Sequence, residues 1–483
     1  MTFNSWEFLI FYPIVAALYF LLPKKAKWPM LLIASYYFYA FYQAELLFLI
    51  ILTTAISFFM SHLIERTEKK TQKKLYLAIT LTVCLGALFF YKYFNFLGAS
   101  VSGIISLFGK EPPSIVLNLA LPVGISFYTF QTLSYVIDVY RGDVKTERNF
   151  FFYALFVSFF PQLVAGPIER PGNLIPQLRD PHPLTRDNFI RGSKQMLLGF
   201  FKKICVADLV AYYVSAVYNS ASEATSLGVI IATLMFSVQI YCDFSGYTDI
   251  ATGCARIMGI RLMKNFDRPY SSSTIKEFWA RWHISLSGWF KDYLYIPLGG
   301  SRCSRIRNML NVFIVFLVSG LWHGANWTFV IWGALHGIYR VVGTLTIEKR
   351  NAIVRRAGFE PTSPVVLGVR RVITFLLVAF AWIFFRANSI SDAFTILGAL
   401  FTRHTSIVST LSLMELDPVS IFLVIFAIAI MLILDRSVSY SEDDNSDILV
   451  RDGAFVYFVL AIMLVWLLLL SRGQSSTFIY FQF

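Results

Sequence analysis

The chain alternates long apolar runs with short polar connections along most of its length. Uninterrupted runs of this kind have the length of helices that cross a bilayer. We count roughly ten to twelve spans, because the shorter runs suit re-entrant or broken helices. The runs cover residues 6–22, 28–41, 46–62, 75–93, 116–139, 150–164, 226–241, 309–321, 327–342, 372–385, 419–434 and 454–470.

Basic residues indicate the orientation of the first spans. No basic residue precedes the run 6–22, and lysines follow it at 24, 25 and 27. A secretory signal would carry its positive charge first, so we expect an uncleaved span with its N-terminus outside the cytoplasm. The loop 65–74 is basic again after two further runs, which agrees with the positive-inside rule.

The segment 188–218 differs from the other apolar segments, because basic residues interrupt it. This pattern predicts an amphipathic interfacial helix that leads into a span. The polar stretch 439–452 is expected to be a loop, and we find no repeat and no linker to a soluble domain. We therefore expect residues 1–483 to form one membrane domain. The basic residues of the segment 188–218 are Arg191, Lys194, Lys202 and Lys203.

Composition strengthens the assignment to the membrane. Hydrophobic residues make up 57% of the chain and charged residues 15%, and the mean hydropathy is +0.61. Soluble domains are about 25% charged. An all-α polytopic membrane protein is therefore expected, since helices satisfy their own backbone groups in lipid. Aromatic residues reach 17%, and part of them fits belts at the two membrane interfaces.

Charge and cysteine content exclude other classes of protein. The formal net charge of +13 would suggest nucleic acid in a soluble protein, but here it fits basic loops facing the cytoplasm and anionic lipid. We expect no nucleic-acid partner. The five cysteines form no CxxC pair and no zinc-like spacing, so we expect neither a disulfide framework nor a metal site.

Polar residues crowd into the middle third of the chain. In residues 161–170, two prolines and a glycine disfavour a regular helix, and the segment is either a simple loop or irregular backbone that lines a cavity. Asp243 and Asp249 closely follow the run 226–241. They could cap a helix or hold histidines or basic residues in place, and we favour the cap for at least one of them.

Two histidines stand out by position. His283 lies among the tryptophans of residues 277–289, where an interfacial anchor and an active-site wall are both open. His323 lies between two apolar runs, at a depth where an ionisable residue usually has a function, although a structural histidine remains possible. If one helix carried His323 and His336, they would be about 20 Å apart and could not share a proton-transfer site. We expect structural or solvated roles for His62, His182 and His404.

The two histidine motifs carry a family resemblance. Trp322-His323-Gly324 follows the Arg281–His283 motif by about 40 residues, and this arrangement resembles the signature of the membrane-bound O-acyltransferase (MBOAT) family. The strings at 121–127, 165–168, 243–247, 278–287 and 298–300 are similar to its bacterial branch, which O-acetylates alginate or peptidoglycan and has D-alanylating relatives.

The resemblance implies a fold and a site. It implies about eleven membrane helices, with re-entrant or interfacial helices, around a central funnel. It places the protein in the bacterial cytoplasmic membrane. His323 matches the catalytic histidine, and His283 is implied to lie near the reaction centre. We therefore expect His323 to act as the general base. His283, Asn326 or a backbone N–H would stabilise the oxyanion.

Ligands and partners follow by resemblance as well. The implied donor is acetyl-CoA, with no bound cofactor. Arg281, Lys202 and Lys203 are candidates for holding its phosphates. Arg281, Trp282, Asn326 and Asp243 are the candidate substrate-binding residues. The acetyl group would cross the bilayer to an extracytoplasmic acetyltransferase partner protein, which would transfer it to a polysaccharide.

Two alternatives remain open at the level of sequence. D-alanyl transfer from a carrier protein to teichoic acid would use the same family architecture. A transporter or a structural subunit of a polysaccharide secretion complex would also explain intramembrane polar residues. A transporter would not require a histidine at position 323, and the chain lacks the inverted repeats that are common in transporters.

Overall fold

A computed structural model describes residues 1–110, 116–117, 119–164, 166–437, 453–470 and 478–479, and this part of the chain is all-α. Among the described residues, seven helices are long and apolar enough to cross a bilayer, and three shorter helices are also apolar. The prediction of an all-α polytopic membrane protein is confirmed, while the count of about eleven spans stays a prediction. The seven helices are Ala44–Arg66, Lys70–Leu107, Ser226–Ile257, Arg305–His323, Trp327–Arg356, Pro364–Arg386 and Pro418–Arg436.

Two compact units make up the chain. The first contains Met1–Met196 and Thr248–Met263. A π-helical turn, Phe89–Tyr93, joins its fourth and fifth helices. Its helices are α1 (Trp6–Leu21), α2 (Lys24–Gln43), α3 (Leu47–Arg66), α4 (Lys70–Leu88), α5 (Phe94–Leu107), α6 (Ile125–Arg141), α7 (Phe150–Ser158), α8 (Phe160–Leu163), α9 (Pro171–Arg179) and most of α10 (Arg186–Phe200).

Breaks interrupt two of the predicted spans in this unit. The run 116–139 becomes helical only after Gly124, which has φ 74° and lies where a Cβ atom would meet the Leu163 carbonyl oxygen at 2.6 Å. The run 150–164 splits into α7 and α8. Gln131 and Gln162 each donate a hydrogen bond of 2.7 Å to the Phe156 carbonyl near that break. Irregular backbone is thus packed inside protein, as membrane depth requires.

The second unit contains Leu197–Tyr247 and Lys264–Phe483. A π-helical turn, Phe201–Asp208, precedes its first complete helix. Helix α12 begins in this unit and ends in the first one, and the predicted loop 439–452 lies outside the described residues. The helices are α11 (Leu209–Tyr218), α12 (Ser226–Ile257), α13 (Ile275–Arg281), α14 (Ile284–Phe290), α15 (Arg305–His323), α16 (Trp327–Arg356), α17 (Pro364–Arg386), α18 (Ile390–Thr402), α19 (Ile407–Leu413), α20 (Pro418–Ser437) and α21 (Ala454–Leu470).

Small residues allow α15 and α16 to pack closely as a hairpin. A Cβ atom on Gly320 would lie 2.3 Å from the Phe329 carbonyl oxygen, and one on Gly333 would lie 2.4 Å from the Phe316 carbonyl oxygen. Glycine at such positions lets helix backbones approach each other in membranes. The hairpin fixes the end of α15, which is His323.

The prediction of an interfacial helix at 188–218 is wrong. This segment forms α10, a π-helical turn and α11, and Lys202 and Lys203 in the turn are 1% and 0% exposed. An interfacial helix would extend its lysines toward the lipid headgroups. These lysines instead lie in the protein interior beside carboxylates, as described below.

Candidate active site

Aromatic rings pack around His323 at the C-terminal end of α15. The next residue, Gly324, has an extended backbone, and a Cβ atom there would lie 2.1 Å from the Phe329 ring. The His323 ring centroid is 4.9 Å from that of Trp332 and 5.6 Å from that of Phe385. Only 2% of His323 is exposed, so the surrounding rings shield the imidazole from water.

His283 occupies the break between α13 and α14 in an unusual backbone conformation. Its φ of 45° is left-handed, which is uncommon for a residue other than glycine and is often found at functional sites. Asn265 stabilises this turn, because its carbonyl oxygen accepts a bond of 2.9 Å from the Ile284 N–H. The Asn265 Oδ1 atom also accepts a bond of 2.9 Å from the Ser285 hydroxyl.

The same amide oxygen selects a tautomer of His283. The Nδ1 atom of His283 lies 3.1 Å from Asn265 Oδ1. An amide oxygen only accepts hydrogen bonds, so Nδ1 carries the proton and Nε2 of the neutral ring is an acceptor. The side chain of His283 is fully buried.

The structure brings His283 and His323 together. Their ring centroids are 6.5 Å apart, and the Trp322 ring packs beside both, at 6.0 Å from His283 and 5.1 Å from His323. The two motifs that sequence analysis singled out therefore form one site within the second unit.

Three buried tryptophans belong to the same aromatic cluster as the two histidines. Trp282, Trp332 and Trp382 are at most 1% exposed. The Trp382 centroid lies 5.2 Å from Trp282 and 5.7 Å from Trp332. Such packing excludes water and strengthens electrostatic interactions inside the cluster.

His336 belongs to the same aromatic cluster, which sequence analysis did not predict. Because α15 ends at His323 and α16 begins at Trp327, the two histidines do not share a helix. Their rings pack against the same indole, that of Trp332, at 4.9 and 5.0 Å. Trp279 donates a hydrogen bond of 3.2 Å to Nδ1 of His336. The glycines at 320, 324 and 333 were the available signal for this hairpin.

Asp243 and Asp249 do not cap a helix, so the preferred capping role is wrong. Both lie inside α12, which continues to Ile257. Asp243 instead pairs with Lys203, whose Nζ atom is 2.7 Å from Asp243 and 2.7 Å from Asp208. The alternative role, in which a carboxylate holds a basic residue, therefore describes Asp243.

A glycine in α12 explains why this ion pair can form. A Cβ atom on Gly246 would lie 2.8 Å from the Gly199 carbonyl oxygen and 3.1 Å from the Lys203 backbone nitrogen. Glycine thus lets α12 approach the turn that carries Lys203. Phe244, beside Asp243 in the chain, packs edge-on against His283 with ring centroids 4.7 Å apart.

The C-terminal segment also reaches this network. The backbone N–H of Ile479 donates a bond of 2.7 Å to Asp243, and the Phe478 ring centroid lies 4.1 Å from that of Tyr247. Both residues are buried. A backbone N–H contact of this kind has no sequence signature, so the sequence did not indicate a role for this segment.

The other candidate residues have structural contacts of their own. Arg281 pairs with Glu277 at 2.8 Å, and Trp282 is part of the buried cluster. Asn326 caps α16 by accepting a bond of 3.0 Å from the Thr328 N–H, and its amide donates to the Asn388 carbonyl at 3.1 Å. Their roles in substrate binding stay predictions.

The idea that Lys202 and Lys203 hold donor phosphates is wrong. Lys203 lies between two carboxylates, and Lys202 Nζ is 3.9 Å from Asp435. Because both lysines are buried, a phosphate would have to displace these carboxylates from the protein interior. Among the described residues, no group of three histidine, cysteine, aspartate or glutamate side chains is placed to hold a metal ion.

Comparison of the chain with known proteins identifies its family and several relatives. Residues 31–353 match the model of the MBOAT, membrane-bound O-acyltransferase family. The chain is 35% identical to a probable alginate O-acetylase AlgI from Azotobacter vinelandii, over all of both chains. It is 35% identical to a peptidoglycan O-acetyltransferase from Helicobacter pylori, over 83% of this chain and 80% of that one. A teichoic acid D-alanyltransferase from Bacillus subtilis is 28% identical over 60% of this chain and 78% of that one.

Proposed function

Since the chain belongs to the membrane-bound O-acyltransferase family and is an O-acyltransferase of the bacterial cytoplasmic membrane, we propose that it moves acetyl groups across that membrane. The acetyl group would come from acetyl-CoA in the cytoplasm and would end on an extracytoplasmic polysaccharide. The observation that carries this proposal is the pairing of His323 with His283, 6.5 Å apart, in a chain similar over its whole length to an alginate O-acetylase.

His323 would serve as the general base. It takes the proton from the acceptor hydroxyl while the hydroxyl oxygen attacks the thioester carbonyl. The tetrahedral intermediate then collapses, the carbon–sulfur bond breaks, and the thiolate of CoA leaves with the proton from His323. Histidine suits both steps because it gains and loses a proton near neutral pH.

His283 would lie beside the reacting groups as a neutral imidazole. In the tautomer selected by Asn265, its Nε2 atom has only a lone pair to offer, and it would become a donor only with a second proton. His283 would therefore stabilise the oxyanion only when its ring carries that second proton, and this role stays a prediction. Asn326 and a backbone N–H are the other candidate oxyanion donors.

A partner outside the cytoplasm would complete the reaction. We propose that an extracytoplasmic acetyltransferase supplies the acceptor hydroxyl, receives the acetyl group on it and transfers that group to the polysaccharide, so that this chain meets the polymer indirectly. Membership in an acyltransferase family argues against a transporter or a structural subunit. D-alanyl transfer remains the second candidate, because the Bacillus subtilis relative carries that activity in its name.

Inverted membrane vesicles that contain the full-length protein would test this function. Acetyl-CoA labelled in the acetyl group is added outside, and alkali-labile label is measured in the lumen and on extracytoplasmic polymer. We expect labelling that depends on the protein, and no D-alanine ester from a charged carrier protein. D-alanine ester without acetyl ester would overturn the proposal in favour of the second candidate. Vesicles with His404→Ala serve as a control, since His404 is exposed and lies outside the site.

A further inference from the structure

A basic cleft lies in the second unit, between the start of α13, the middle of α16 and α17. Its volume is about 650 Å³, and four cationic residues line it. No aspartate or glutamate lines it. The cleft therefore concentrates positive charge without an acidic counterpart on its walls. The cationic residues are Lys276, Arg340, Arg350 and Arg370.

Neutral acceptors hold the three arginines. Arg340 donates to the Thr344 hydroxyl at 2.7 Å, and Arg350 donates to the Gly343 carbonyl at 3.1 Å. Arg370 donates to the Asn351 amide oxygen at 2.6 Å. Among the described residues, none of these guanidinium groups has a carboxylate within ion-pair distance. The bonds fix the side chains and leave their charge for an anion.

Acidic residues near the cleft do not neutralise it. Glu277 follows Lys276 in the chain but pairs with Arg281 at 2.8 Å. Glu348 belongs to α16 but does not line the cleft. Phosphate groups are the natural ligands of clustered arginines, because the planar guanidinium offers paired donors to phosphate oxygens.

The other wall of the cleft is apolar and faces outward. Ile338, Val342 and Ile373 line it and are 47%, 48% and 50% exposed. They lie on α16 and α17, two helices long and apolar enough to cross a bilayer. From Ile338 to Arg350 the helix rises about 18 Å. Ile338 and Val342 thus lie toward the start of α16 with Arg340 between them, and Arg350 lies toward its end.

We propose that this cleft binds an anionic phospholipid of the cytoplasmic leaflet. The four cationic residues hold its phosphate, and an acyl chain lies along Ile338, Val342 and Ile373. The exposed apolar wall favours a lipid over a soluble phosphate compound such as CoA, whose pantetheine arm is short and interrupted by polar amide groups. Basic pockets between membrane helices bind anionic headgroups in this way.

The surrounding charge indicates which leaflet supplies the lipid. The helix ends on both sides of the connection between α16 and α17 carry further basic residues. Such loops face the cytoplasm under the positive-inside rule. These residues are Lys349, Arg355, Arg356 and Arg371.

The cleft lies next to the aromatic cluster of the candidate active site. Tyr339 lines the cleft, and its ring centroid is 5.9 Å from that of His336. His336 in turn packs against Trp332, which contacts His323. A bound lipid would therefore stabilise the part of α16 that carries these side chains.

Binding of short-chain lipids to the purified full-length protein tests the inference. Dioctanoyl phosphatidylglycerol is titrated against delipidated protein in neutral detergent, and the rise in thermal unfolding temperature reports binding. We expect saturable stabilisation by phosphatidylglycerol and none by dioctanoyl phosphatidylcholine. The double variant Arg350→Gln/Arg370→Gln should bind at least about tenfold more weakly, since each cation near an anionic surface contributes severalfold to affinity. The double variant Arg355→Gln/Arg356→Gln removes the same charge outside the cleft and should bind as the wild type does.

A second variant and a second ligand keep the test decisive. Val342→Trp retains every charge but fills the apolar wall, so it should also weaken phosphatidylglycerol binding. Equal stabilisation by both lipids, or equal loss in the control double variant, would overturn the inference. Stabilisation by CoA or 3′,5′-ADP in place of phosphatidylglycerol, lost in the cleft variants, would also overturn it and assign the cleft to a nucleotide. Because binding is measured without turnover, none of these outcomes depends on the proposed acetyl transfer.

Discussion

Asn265 is the residue on which the geometry of His283 depends. It fixes the left-handed turn through its backbone carbonyl and selects the imidazole tautomer through Oδ1. No sequence motif pointed to Asn265, because it lies 18 residues before His283 and contributes only acceptor atoms. The sequence motifs therefore indicated His283 as a candidate and did not indicate the residue that orients it.

Asn265→Ala should therefore impair catalysis. It removes the acceptor for His283 Nδ1 and for the Ser285 hydroxyl. A small misplacement of a reacting group can cost on the order of 100-fold in rate. Initial rates of acetyl transfer in vesicles measure the effect. Asn265→Asp retains an acceptor oxygen and should recover part of the rate. Wild-type rates in the alanine variant would show that this contact does not position His283.

Lys203 holds the buried charges near the site together. Lys203→Met would leave Asp208 and Asp243 without their shared cation, and breaking a buried pair typically costs about 3–5 kcal/mol. We expect a large fall in thermal unfolding temperature in detergent, partly restored by Lys203→Met/Asp243→Asn. Lys291→Met changes an exposed lysine and should have little effect. An equally small effect at position 203 would contradict this account of the network.

At the scale of elements, hydrophobic runs predicted most helices, and polar interruptions were harder to interpret. The two aspartates that follow the run 226–241 suggest that a helix ends there. The helix continues because Lys203 neutralises Asp243 within the protein. A one-dimensional pattern does not contain a partner that lies 40 residues earlier in the chain.

The crossing of α15 and α16 should be sensitive to a single methyl group. In Gly333→Ala the new Cβ atom would meet the Phe316 carbonyl oxygen at 2.4 Å, and the helices would have to separate. Overpacking of this kind costs about 1–3 kcal/mol and would displace His323. We expect lower stability in detergent and reduced acetyl transfer.

A glycine with open space around it provides the matched control. Gly368 lies in α17, and a Cβ atom added there would have no neighbouring atom within 4 Å. Gly368→Ala should be neutral or stabilise by up to about 1 kcal/mol, the difference in helix propensity. If both alanine variants behave alike, close packing of the hairpin is not what positions the site.

At the scale of the whole molecule, composition and charge predicted a polytopic membrane protein, and the structure confirms that class. They did not predict that Lys202 and Lys203 in the segment 188–218 would be buried. They also did not predict that Phe478 and Ile479 would lie beside Asp243 and its neighbours. Burial of a charge depends on a partner elsewhere in the fold, whereas composition reports only averages.

The orientation of the second unit can be tested at the turn between α16 and α17. Thr362 is exposed in this turn, and the basic residues around it predict a cytoplasmic location. In a Cys303→Ser background, Thr362→Cys should react with an impermeant maleimide in inverted vesicles and not in intact spheroplasts. Reaction from the outside of spheroplasts would reverse the assigned leaflet and place the basic cleft on the wrong side for a cytoplasmic lipid.

The most direct test of the central claim is the acetyl ester content of extracellular polymers in cells that carry His323→Ala. Membrane levels of the protein and the amount of polymer are measured alongside, with His404→Ala as the matched histidine control. The account predicts that acetyl ester is lost while polymer and protein remain, and that the control is unchanged. Normal acetylation in cells with His323→Ala would contradict the assignment of His323 as the general base.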